Sequence, residues 1–129
     1  MQQQDKIKEF VFTHRLASVM NRTKWREVAA QMISNPDFNP RVRVKYLFDE
    51  QPSGFNHQWW DWVKTEEARE IEWMEISPIA LERVGWLVED IQTDFSTWVR
   101  QALSECSIPF TEQNGIFRIN GCLRPNQKL

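Results

Sequence analysis

At 129 residues, 41% apolar and 12% aromatic, the chain has enough apolar surface to bury a core and is too hydrophobic for a disordered segment. Two cysteines are too few for a disulfide scaffold, and the polar opening MQQQDKIKEF, with no long apolar run elsewhere, excludes a secretion-signal pattern and a membrane-spanning helix. The net charge of −2 conceals a basic front of nine Lys/Arg against four Asp/Glu in 1–48, then an acidic middle of two against eight in 49–75. Length and cysteine usage together predict one domain over 1–129 in a reduced, cytoplasmic setting, with 1–5 and 122–129 as flexible ends.

Taken in order, Ile7, Phe10, Val11, Leu16, Val19 and Met20 predict a first helix over about 6–20. Thr23 predicts the N-cap of a second, whose Trp25, Val28, Ala29, Met32 and Ile33 follow helical spacing until Ser34-Asn35-Pro36 ends it. The period then changes. Val42, Val44, Tyr46 and Phe48 alternate with Arg41, Arg43 and Lys45, which reads as a strand with one apolar and one basic face. After the turn at 51–54, His57 to Lys64 reads as a second strand carrying Trp59, Trp60 and Trp62. Glu70 to Ile76 reads as a third, and short connections suggest a meander.

Ser77-Pro78 resembles a helix start, and Leu81, Val84, Val88, Ile91, Phe95, Trp98, Ala102 and Cys106 keep near-helical spacing, with Gly85 as a break between a short helix and a long one. Asn114-Gly115 between apolar runs signals a closing hairpin, and Gly121 onward reads as a tail. The whole is an α+β chain: two N-terminal helices, an antiparallel sheet of about five strands, and a long helix before a C-terminal hairpin.

No catalytic set emerges. The two histidines, His14 and His57, and the two cysteines, Cys106 and Cys122, have neither ligand spacing nor a nucleophile motif, so no metal or cofactor is expected. Cys106 falls on an apolar stripe, where a buried thiol is inert. An enzyme built around His57 and neighbouring carboxylates is the least supported reading. Tryptophans interleaved with acids between Phe55 and Ile76 favour a protein-binding surface instead. Its expected contact residues are Trp59, Asp61, Glu70, Glu72 and Glu75. The alternative is nucleic-acid binding through Arg41, Arg43 and Lys45, which the acidic pI of 5.7 disfavours. A homodimer through the tryptophan face is a further option, and a pairing of the acids with the basic strand within the fold is another.

Two stretches carry a resemblance. Asn21-Arg22-Thr23-Lys24-Trp25-Arg26-Glu27 resembles the N-x-T-K-W-R-E opening of an uncharacterised family of small bacterial proteins. Residues 71–76, 108–110 and 116–121 look like that family's remaining signature, so the likeness runs from about Leu16 to Leu123. Cys122 departs from it, since an aromatic is expected after the glycine. The resemblance implies no activity. In style the chain is similar to immunity proteins, which bind and block a toxin. That implies a basic toxin as partner, with Asp61, Glu70, Glu72 and Glu75 standing in for the phosphates a nuclease expects.

Overall fold

The computed structural model describes residues 3–13, 17–57, 60–82, 84–123 and 125. Helix α1 spans Gln3–Thr13, strand β1 Ala17–Ser18 and helix α2 Arg22–Ile33. Strands β2 (Arg41–Tyr46) and β3 (Asn56–His57) precede the one-turn helix α3 (Trp60–Val63) and a 3₁₀ turn over Glu66–Glu70. Strand β4 covers Ile71–Ser77, β5 Ile79–Glu82 and β6 Ile91–Asp94, and helix α4 covers Ser96–Glu105. Strands β7 (Thr111–Gln113), β8 (Ile116–Asn120) and β9 (Cys122–Leu123) close the chain. The architecture is α+β.

Five strands form an antiparallel sheet in the order β3-β2-β4-β8-β7. Its register sets Val42 beside Ile76 and Ile76 beside Phe117, then Val44 beside Met74 and Met74 beside Ile119. Because side chains alternate along a strand, these six share one face, and all are buried. With them in the main core lie Trp25, Val28, Ala29 and Met32 of α2, and Val99, Ala102 and Leu103 of α4. At one end Phe38 stacks on Phe95 at 4.3 Å and meets Trp98 edge-on at 5.8 Å. Outside the core, Arg100 of α4 donates to both oxygens of Glu112 on β7 at 2.8 and 2.7 Å. That bond is the main reason the Glu112 carboxyl lies below its ordinary pKa.

Several expectations need correction. The tryptophan run is not a strand: Trp60 and Val63 are both buried. Residues three apart fall on opposite faces of a strand, whereas one helical turn brings both to the core. The strands do not run as a simple meander either, since β2 lies between β3 and β4 and β8 pairs with β4.

Among the described residues, the stretch from Pro78 is not helical until Ser96. Ile79–Glu82 instead pairs with Ile91–Asp94 as a hairpin, closed at its base by the Phe95 N–H donating to the Pro78 carbonyl at 2.9 Å. Asp94 accepts from the Ser96 backbone N–H at 2.8 Å, starting α4 there. The cap of α2 is Asn21, whose Oδ1 accepts from Lys24 N at 2.8 Å, and Thr23 lies inside the helix. Ile33, read as core, is half exposed. Helix α1 ends at Thr13, His14 to Leu16 fall outside the described residues, and Ala17–Ser18 is extended. Cys122 and Leu123, read as tail, pair with those two residues in antiparallel register.

Candidate interaction surfaces

On the sheet face opposite the core, the register places Arg43 beside Glu75 and Glu75 beside Arg118. Arg43 Nε donates to Glu75 Oε1 at 3.0 Å, and Arg118 Nη1 stands 3.8 Å from Oε2. One carboxylate thus holds two guanidinium groups. Those groups also flank the Trp73 ring, 5.4 Å from Arg43 and 4.2 Å from Arg118, and Arg43 lies 5.5 Å from the Phe55 ring. Cation–π contact and ion pairing together fix a rigid Arg–Trp–Arg stack. Beside it, Lys45 is 8% exposed, with Nζ donating to the Tyr46 carbonyl at 2.8 Å and 3.6 Å from Glu72 Oε1. Glu72 is equally buried at 7%.

A different surface forms where β2 ends. Tyr46 and Trp62 meet edge-to-face, ring centroids 5.6 Å apart, and both are half-buried. Trp62 Nε1 donates to Glu67 Oε2 at 3.1 Å. Burial, then the negative charges of Glu70 and Asp49, push the Tyr46 phenol above its ordinary pKa. Asp49 reaches this position because its N–H turns back to the Tyr46 carbonyl at 3.2 Å, and the Glu70 carbonyl accepts from Leu47 N at 2.7 Å. Asp61, exposed, precedes Trp62 on α3. The result is an aromatic pair with the carboxylates of Glu67, Glu70 and Asp49 beside it.

The predicted contact residues therefore divide. Glu70 belongs to the acidic aromatic end, and Asp61 is exposed on α3 next to Trp62 in sequence. Glu72 and Glu75 belong to the sheet-face ion pairs with Lys45 and Arg43, so Arg41, Arg43 and Lys45 share a face with acids. Trp59 lies outside the described residues. His57 is exposed on β3, beside Arg41 in register, and lines a polar cleft of about 710 Å³ with Asp37 and Glu82. Cys106 is half-buried, and burial raises its thiol pKa, which suits an unreactive group. Among the described residues no three His, Cys, Asp or Glu side chains group as a metal site requires. Nor, among them, is any helix long and apolar enough to cross a membrane.

Sequence reasoning did not single out Tyr46, Trp62 and Glu67 as one surface, because the pairing of β2 with α3 is tertiary. It also missed two apolar features. The β5–β6 arm exposes Leu81, Val84, Trp86, Leu87, Val88 and Ile91. A groove of about 490 Å³ runs along α1, lined by Ile7, Val11, Phe12, Met20, Trp25 and Ile71.

Residues 7–126 match the model of a family described as a family of unknown function, DUF6678, and the chain belongs to that family. No curated protein and no solved structure matches it.

Proposed function

We propose that this protein is a non-enzymatic protein-binding domain that takes a basic partner on its acidic aromatic end, the toxin-neutralising role being the form this binding has. The observation that carries the reading is the Tyr46–Trp62 pair, half-accessible and bordered by Asp49, Glu67 and Glu70, with Asp61 exposed on the same short helix as Trp62. Aromatic side chains bury large area at low entropic cost, and same-sign charge around them steers an oppositely charged partner into register. Glu72 and Glu75 hold the basic strand through Lys45 and Arg43.

The nucleic-acid alternative has Arg41 on the basic strand, and Arg43 and Arg118 beside Trp73, a ring that a base could stack on. It is the weaker reading because Lys45 is buried and Arg43 is already engaged by Glu75.

The test is capture from the native host's lysate by the tagged chain and by an Asp61→Lys, Glu67→Lys variant, with circular dichroism on both. Wild type is expected to retain one stoichiometric basic protein that is released as salt rises, and the variant to lose it with an unchanged spectrum. Undiminished capture by the variant, or salt-sensitive retention of nucleic acid alone, would sink the proposal.

A further inference from the structure

The β5–β6 arm is built from two four-residue strands paired Ile79 with Asp94 through Glu82 with Ile91. Two strands alone are marginal in water, so such an arm needs other surface to lie against. Its base has some: Ala80 and Phe95 pack on the main core. Its far half does not bury its apolar side chains. Trp86 is 91% exposed, Leu87 100% and Val88 62%, with Leu81, Val84 and Ile91 near one-half. Contiguous apolar exposure of this kind marks an interaction site.

The groove along α1 offers what the arm lacks. Its volume of about 490 Å³ lies within the roughly 300–1,000 Å³ typical of ligand-sized clefts, and its walls are chiefly apolar. Phe12 stands 85% exposed at its edge. The charges are complementary as well. Lys8 and Arg69 line the groove, whereas Glu82, Glu89 and Asp90 are exposed on the arm.

Position decides how the two can meet. The groove touches Ile71, the first residue of β4, and the arm leaves the sheet after Ser77, the last. Six steps of about 3.4 Å along β4 separate the two by roughly 20 Å. A two-fold axis perpendicular to β4 reverses this order along the strand, so that the arm end of one copy lies level with the groove end of the other. We propose that the chain forms a two-fold dimer in which the β5–β6 arm of each copy docks in the α1 groove of its partner.

The test is sedimentation equilibrium on the full chain with two double variants at exposed positions. Trp86→Ser, Leu87→Ser disables the arm, and Lys8→Glu, Phe12→Glu disables the groove. Wild type is expected to dimerise, and each variant alone to self-associate at least about 30-fold more weakly, the effect of losing one hot-spot residue. Mixing the variants is expected to restore a one-to-one heterodimer, because one intact arm then faces one intact groove. Misfolding would not reproduce that rescue. A monomeric wild type, persistent dimers in either variant, or no association in the mixture would overturn the proposal.

Discussion

Tyr46 is the chain's one tyrosine, so its phenol reports on the acidic aromatic end without interference. Burial is the larger cause of its raised pKa, and the carboxylates of Glu70 and Asp49 add to it. The fold thus holds the phenol proton more tightly than the unfolded chain does. The matching stability is fully present below the ordinary value of 10.0 and is lost as pH rises through the higher folded value. An ultraviolet titration of phenolate in the native protein is expected to show a midpoint above 10.0. Replacing Glu70 by Gln and Asp49 by Asn is expected to bring it only part of the way back, since burial remains. A native midpoint at or below the ordinary value would mean that Tyr46 is neither buried nor bordered by acids. At the same scale Glu75 shows what alternation alone conveys: it puts Glu75 and Trp73 on one face of β4. Only the register with β2 and β8 sets two arginines beside them.

At the scale of elements, the start of α2 is decided by one side chain. Asn21 Oδ1 accepts from the Lys24 backbone N–H at 2.8 Å, while the exposed Thr23 already lies within the helix. Asn21→Ala is expected to cost about 1 kcal/mol in urea unfolding, and Thr23→Ala to cost nothing, since alanine is the better helix former at an exposed helical position. The reverse order would return the cap to Thr23. The sequence placed this helix almost correctly because its apolar spacing is regular and mostly buried. Strand β2 was legible for the same reason, its Val42 and Val44 alternating with Arg41 and Arg43. The arm was not. Leu81, Val84, Val88 and Ile91 keep helical spacing, yet all four are exposed. Apolar spacing identifies the side chains that avoid water, and it does not distinguish a helix face on the core from a hairpin awaiting another surface. Helix α3 failed differently, since four residues are too few to display a period.

At the scale of the whole molecule, the segment from β1 to Met20 and the β8–β9 segment are joined over the start of β4, and Gly121 is the junction. Its N–H donates to the Glu72 carbonyl at 2.7 Å, and its own carbonyl accepts from Val19 N at 2.8 Å and Met20 N at 3.2 Å. Next to it, Cys122 pairs with Ser18 and is buried with Ile7 of α1 and Leu47. The backbones approach so closely that a Cβ on residue 121 would lie 2.2 Å from the Ile71 carbonyl oxygen and 3.2 Å from Trp25 Cζ2. Space, therefore, requires glycine here. A Cβ cannot be accommodated by turning a flexible side chain, because its nearest neighbour is backbone and the next is the fully buried Trp25. Gly121→Ala is expected to destabilise the fold by about 2–3 kcal/mol, the cost typical of overpacking a filled interior. In urea the midpoint is expected to fall with little change in slope, because the surface exposed on unfolding stays the same. A loss below about 0.5 kcal/mol, the level of an ordinary surface change, would show that the two segments separate easily. The groove wall formed by Met20, Gly121 and Cys122 would then be no fixed surface for an incoming arm.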